Sequence, residues 1–348
     1  MKTKLMRTPA ESLEGQTLPC GWYVEEYVPI GPGQTGGNFS VGYIVSKDGK
    51  NGYLKALDFV KLLSARGLQN RVDAMALFTE SFRYERDILK RCRELGFSRV
   101  IRSLSDGEID IGGESVVPYI IFEIATGDIR KQTAAVAGID IIWALRTMHH
   151  VCVGIKQLHS QEISHQDIKP SNVLLVEDGK RKLGDFGTSV TKDCRLPHAS
   201  YDIAGDRTYA PPEGLYGYTH PEWGTRRFGN DAYQAGSLFV FLLTGVPATT
   251  LLLEQLDNSH RTGTWKGTYE EVLPYLQVGF TGVITIVEQH IQGNLREPIV
   301  NIIKELCNPD ITRRGDAKGR VRNGNPFSME RYISRIETLA RRAELEYH

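Results

Sequence analysis

Three short runs near the start of the chain alternate apolar with polar positions, and each predicts a strand. Trp22 to Val28 is the first, Val41 to Val45 the second and Gly52 to Lys55 the third, where the alternation turns Tyr53 and Lys55 to one face. From Asp58 to Leu95 the period lengthens. Phe78, Phe82, Ile88, Leu89 and Cys92 recur at helical spacing with charges between them, so a helix over Ala74 to Arg93 is expected, preceded by an extra helical segment around Phe59 to Gly67. Two more strands are expected at Glu108 to Ile111 and Val117 to Phe122. Beyond them the pattern is helical. Asp140 to His159 carries an apolar stripe, and Asn230 to Gly245 is a nearly all-apolar helix with a glycine stop. Phe327 to Tyr347 sets Met329, Tyr332, Ile333, Ile336, Leu339, Ala340 and Ala343 on one face of a charged helix. Residues 1–20 show no period and read as a loose leader.

Composition narrows the classes without naming a function. A chain of 348 residues can bury a sizeable core and has room for two lobes. Its 42 basic and 42 acidic residues leave no field to draw it to nucleic acid or to an anionic membrane. Five cysteines without CxxC or metal spacing read as reduced thiols. His149, His150 and His159 lack carboxylate or cysteine companions at ligand spacing, so surface or capping roles are expected for them. No signal-peptide core and no apolar run of about 18 residues occurs. A cytoplasmic protein is the expectation, with neither nucleic acid nor membrane as partner.

The chemistry concentrates between Ile163 and Ser189. This stretch holds Asp167, Lys169 two residues on, Asn172, and then Asp185 in Asp185-Phe186-Gly187. Phosphoryl transfer from ATP calls for those groups together: a base for the attacking hydroxyl, a cation on the transferring phosphate and two oxygen ligands for magnesium. Each residue type is common, but the joint pattern is not. The stretch resembles the catalytic and magnesium loops of the eukaryotic-type (Hanks-type) serine/threonine protein kinases.

The resemblance covers residues 22–320 and implies an α+β, bilobal protein-kinase fold. The small lobe, mostly antiparallel β with one long helix, would be 21–124. The larger, mostly helical lobe would be 125–325, with the leader 1–20 before it and the amphipathic helix 326–348 after it. ATP and Mg2+ are the implied cofactors. Asp167 would be the catalytic base, Lys169 the γ-phosphate cation, and Asn172 and Asp185 the metal ligands. Lys55 would hold the α and β phosphates and pair with Glu85, Glu80 being the competitor. Gly31, Gly33 and Gly36 match the phosphate-loop spacing Gly-x-Gly-x-x-Gly, with Asn38 where the family has Val two residues later; a second register, with Phe39-Ser40 at the loop tip, fits about as well. Phe122 would be the gatekeeper beside adenine, and the backbones of Glu123 and Ala125, with Asp128 beyond, would line the nucleotide. His165, Phe186, Gly187 and Asp231 would support the catalytic loop. Glu213, in Pro211-Pro212-Glu213, would pair with Arg314, Arg313 being the competitor. Lys169 favours serine or threonine acceptors, and the Pro-Pro-Glu closure favours a protein substrate.

Three positions depart from the pattern. Tyr53 stands where the family has a small alanine, Gln166 replaces the arginine before the catalytic Asp, and Asp206 follows Gly205 where a threonine is usual. Gln166 cannot supply the charge that receives an activation-loop phosphate. The compact form is similar to stand-alone bacterial kinases. The competing reading is a pseudokinase, a scaffold or nucleotide-binding module with little transfer. For the last helix two readings stay open: packing on the large lobe, or a partner or dimer contact.

Overall fold

The computed structural model describes residues 7–29, 39–65, 70–112, 115–135 and 140–347. The chain divides into two compact units. One comprises 1–127 with 174–179 and 184–187, and the other 128–173, 180–183 and 188–348.

The first unit is a five-stranded antiparallel sheet in the order β1 (Tyr23–Val28), β2 (Ser40–Lys47), β3 (Lys50–Leu57), β5 (Val116–Glu123), β4 (Ser103–Asp110). Between β3 and β4 the chain forms α1 (Phe59–Ser64) and α2 (Arg71–Glu94). One face of the sheet presents Val41, Tyr43, Val45, Leu54, Ala56, Tyr119 and Ile121, all buried. Covering it is the segment expected to be a loose leader. Ala10, Leu13, Leu18 and Trp22 are buried in the same core, and Tyr43 Oη donates to Ala10 O at 2.7 Å. Thr8 closes a capping box with Glu11 and donates to Asp58 Oδ2 at 2.7 Å. Periodicity could not reveal this segment, because a chain laid across a sheet in turns and single bridges has no period to show.

Two short strands, β6 (Ala125–Asp128) and β7 (Val173–Val176), are neighbours, and β8 (Arg181–Leu183) follows. The second unit is built on α3 (Ile129–Ala135), α4 (Ile141–His159), α5 (Pro212–Leu215), α6 (Trp223–Thr244), α7 (Ala248–Glu254), α8 (Tyr269–Gln289), α9 (Arg296–Leu306), α10 (Ala317–Asn323) and α11 (Glu330–Tyr347). At its centre is α6, almost wholly buried and packed on α4 and α9. Gly236 lets α9 approach: a Cβ there would stand 2.4 Å from Cys307 Sγ. Gly245, at φ 78°, ends the helix in the left-handed conformation.

Of the two readings of the last helix, packing on its own unit is the one the structure supports. The apolar face of α11 is spent on α4: Tyr332, Ile336, Leu339, Ala340 and Ala343 are buried, and Arg146 of α4 holds Glu337 at 2.6 Å and Glu344 at 2.8 Å. Among the described residues no single helix is long and apolar enough to cross a membrane. None of the five cysteines is in a disulfide among the described residues, and burial pushes the thiols of Cys92 and Cys152 up to about 12, which keeps them protonated.

Candidate active site

In the first unit, the apolar stripe of α2 places a carboxylate beside a strand cation. Phe82, Glu85, Ile88, Leu89 and Cys92 form the buried face of α2. Glu85 therefore points into the unit, whereas Glu80, off that stripe, is exposed. Lys55 Nζ lies 3.0 Å from each Glu85 carboxylate oxygen. Burial alone would lower the Lys55 pKa, but the charge of Glu85 and then that of Asp185 outweigh it and hold the amine above its ordinary value, so it stays an ammonium. Asp185 sits at φ 61°, a strained conformation for a non-glycine residue and one that marks functional turns. Leu174 packs closely on Gly184 before it: a Cβ there would meet Leu174 Cδ1 at 2.6 Å, so a larger residue would have to displace that side chain. Phe186 is fully buried, and a Cβ added at Gly187 would meet Asp185 Oδ1 at 3.6 Å, an ordinary contact distance.

Phe122 is half-buried and pairs with Tyr53 across β3 and β5. Glu123 donates its N–H to Arg102 O at 3.0 Å and accepts from Arg102 N at 2.7 Å through its side chain. Ala125 opens β6. Gly31, Gly33 and Gly36 lie outside the described residues.

In the second unit, the catalytic loop hangs from one face of α6. Arg227, Asp231 and Gln234 stand four and three residues apart, which sets them on one stripe. Asp231 accepts from the backbone N–H of His165 at 2.9 Å and of Gln166 at 2.8 Å, from Ser164 Oγ at 2.8 Å, and contacts His159 Nε2 at 2.9 Å. Gln234 accepts from Ile168 N and donates to Gln166 O, both at 2.9 Å. With its backbone held on both sides, Gln166 adopts φ 67°. Burial would raise the Asp231 pKa, but the hydrogen bond and charge of His159 and the backbone N–H of Gln166 overcome it, leaving the carboxyl below the usual range. His159, expected at the surface or as a cap, is instead stacked on Phe228 with ring centroids 4.0 Å apart and turned to Asp231.

The loop in turn presents Asp167. Its Oδ2 accepts from Lys169 Nζ and from Asn172 Nδ2, both at 2.9 Å, and its Oδ1 accepts from Asp206 N at 2.8 Å. Gly205 makes the last contact possible, since a Cβ there would lie 2.4 Å from Gln166 O and 2.5 Å from Asp167 Oδ1. Asp206 also approaches Lys169 at 3.8 Å. Asn172 spends its amide N–H groups on Asp167, and its Oδ1 receives Ser171 Oγ at 3.3 Å. Asp128, placed by the resemblance beside the nucleotide, is turned to the start of α3: its Oδ1 accepts from Lys131 N at 3.2 Å and its Oδ2 lies 3.4 Å from Arg130.

The site that receives the arginine missing at position 166 was not legible in the sequence. Arg227 is buried and donates to Gln166 Oε1 at 2.8 Å, to Ala199 O at 2.5 Å and to Tyr201 O at 3.4 Å. Gln166 Nε2 donates to Ser164 Oγ and to Arg227 O. A cation thus ties the catalytic loop to the segment after it, but it comes from α6. The available signal was three polar residues, Arg227, Asp231 and Gln234, on one stripe of a buried helix.

Glu213 and Arg314 form a buried bidentate pair at 2.6 and 2.7 Å, with the guanidinium 4.9 Å from the Tyr233 ring centroid. Arg313, the competitor, is exposed and faces Asp310. Arg314→Leu should cost about 3–5 kcal/mol in urea unfolding, because it strands the Glu213 carboxylate away from water. A loss below about 1 kcal/mol would show that water reaches that carboxylate.

With this geometry in view, comparison with known proteins decides the family. Residues 35–322 match the protein kinase domain. The chain belongs to the protein kinase family. The kinase is 27% identical over 200 residues to a probable serine/threonine-protein kinase of Clostridium perfringens, covering 55% of this chain and 27% of that one. It is 28% identical over 173 residues to the probable serine/threonine-protein kinase PknB of Corynebacterium glutamicum, covering 49% and 25%. An LRR receptor-like serine/threonine-protein kinase of Arabidopsis thaliana is 26% identical over 266 residues, covering 71% and 27%. The matches thus span about a quarter of the length of these relatives.

Proposed function

We propose that this kinase transfers the γ-phosphate of ATP, with magnesium, to serine or threonine hydroxyls of proteins, itself included. The observation that carries the reading is the state of Asp167, whose carboxylate is oriented by Asp206 N–H, Asn172 and Lys169 while its loop is pinned to α6. A scaffold has no need of that arrangement, nor of a Lys55–Glu85 pair in which a strand cation is kept charged.

In this reading Asp167 accepts the proton of the acceptor hydroxyl, the hydroxyl oxygen bonds to the γ-phosphorus, and the bond from that phosphorus to the bridging oxygen breaks to release ADP. Lys169 faces the transferring phosphate, and Lys55 holds the α and β phosphates. Asn172 Oδ1 in the second unit and the Asp185 carboxylate in the first are each an oxygen of the kind magnesium takes, a hard cation that accepts one or two protein oxygens and fills its shell with water and phosphate. Bound there, the metal would neutralise charge on the phosphates. No three His, Cys, Asp or Glu residues among those described form a metal-binding group, so a fuller protein cage has no support. Lys169 supports serine and threonine as acceptors, and the clamp from Arg227 supports an activation segment held without a phosphate.

The test is transfer from radiolabelled ATP with magnesium to the kinase itself and to cell extract. Wild type should label both, and Lys55→Ala and Asp185→Ala should lose about 100-fold or more while keeping wild-type circular dichroism. A folded wild type that labels nothing would favour the scaffold.

A further inference from the structure

On the first unit's sheet, Gly42 and Tyr53 form one steric unit. The β2–β3 register pairs Gly42 with Lys55 and Ile44 with Tyr53, so these four positions share the face opposite the buried core. Tyr53 reaches diagonally over Gly42. A Cβ at position 42 would stand 2.3 Å from Tyr53 Oη, 2.9 Å from Cζ and 3.0 Å from Cε2. No side chain larger than hydrogen fits at 42 while the ring lies there. In the register that sets Phe39-Ser40 at the loop tip, position 42 is the one for which the resemblance implies Val, and position 53 is the one for which it implies alanine. This chain has exchanged small and large between the two strands, which roughly conserves volume but turns an aliphatic surface into an aromatic one.

The place of the ring gives the exchange its meaning. β3 runs from Gly52, paired with Glu123, through Tyr53, paired with Phe122, to Lys55, paired with Ile120. Tyr53 is two residues, about 7 Å, from the phosphate cation and one residue from the strand that leads to the backbone at 123–125. A nucleotide whose phosphates meet Lys55 and whose base meets that backbone must cross Tyr53. We propose that Tyr53 is the residue on which the purine base stacks, and that Gly42 is present to seat its ring. The inference rests on the ATP reading above. Aromatic stacking on a base is tolerant of its edge groups, so Tyr53 supplies affinity for the ring system, and recognition of the purine edge falls to the 123–125 backbone.

Calorimetric titration of the full chain with ATP, and separately with inorganic tripolyphosphate, both with magnesium, tests it. Tyr53→Ala should weaken ATP about ten-fold or more and leave tripolyphosphate within about two-fold, whereas Tyr53→Phe should match wild type for both. Gly42→Val should cost ATP affinity in the wild-type background and cost nothing in the Tyr53→Ala background. The inference is overturned if Tyr53→Ala keeps full ATP affinity, if it weakens both ligands equally, or if Gly42→Val costs the same in both backgrounds. A wild type that binds tripolyphosphate but not ATP overturns the stacking alone. One that binds neither overturns the ATP reading and the stacking with it.

Discussion

Asp231→Asn is expected to lose at least about 3 kcal/mol of unfolding free energy and to bring phosphotransfer below about 1% of wild type. The carboxylate accepts from two backbone N–H groups and the Ser164 hydroxyl and faces the His159 ring, all in a fully buried position. An amide has one acceptor oxygen, and whichever side carries its NH2 would be pressed against a backbone N–H, of His165 or of Gln166, that cannot accept. The catalytic loop would then have to move away from α6 or leave N–H groups unpaired, and Asp167 is carried on that loop. The pH dependence follows from the same group. Its folded pKa lies below the unfolded one, so its contribution is complete above about pH 4 and is lost as the pH falls through the folded value. The Asn variant should therefore show a flatter acid limb in urea unfolding measured as a function of pH. A variant within about 1 kcal/mol of wild type, with full activity, would mean that the loop is held by its other contacts.

Arg227→Met should lower kcat about 100-fold while phosphatase treatment of the wild type changes its rate less than about two-fold. Arg227 is the buried cation that joins Gln166 to the carbonyls of Ala199 and Tyr201. Burial lowers its pKa first, with repulsion from Arg226 adding and the charge of Asp231 opposing, to about 10, so it remains charged at neutral pH. Hydrogen bonds from a charged donor are worth about 1.5–3 kcal/mol each. Met fills the volume without them and frees the segment at 199–201, so a kinetic loss with little change in ATP affinity is expected. Gln166→Arg should not rescue this variant's wild-type parent but damage it. It would put two guanidiniums where one now donates to Gln166 Oε1 at 2.8 Å, and it would remove the acceptor. A large fall in rate on dephosphorylation, or an Arg227→Met enzyme at full rate, would return control of the segment to a phosphate.

These two residues show where sequence reading stops. The order of elements was legible because strand and helix periods are local: β2, β3, α2 and α4 lie where the apolar pattern sets them, whereas α6 starts at Trp223, seven residues before the expected Asn230. The segment at 7–22 was not, since its role is to cover a sheet face whose residues come from all five strands. Asp167, Lys169, Asn172 and Asp185 could be singled out because their chemistry is confined to one short stretch. Arg227, His159 and Gln234 could not, because each acts on the catalytic loop across a fold of the chain, and a polar position on a helix does not announce its partner. Tyr53 was visible as a departure, but not that Gly42 answers it from the neighbouring strand.

The sequence by itself determined the kind of chemistry, through residue types held at short spacings that backbone geometry converts directly into a loop. Only the tertiary structure decided which of two candidates does each long-range task. Glu85 rather than Glu80 meets Lys55, because it lies on the buried stripe of α2. Arg314 rather than Arg313 meets Glu213, because its side chain turns inward to the core under α6. The cation missing beside Asp167 is supplied from α6 for the same reason: pairing of buried charge depends on which groups share a water-free space, and adjacency in sequence does not report that.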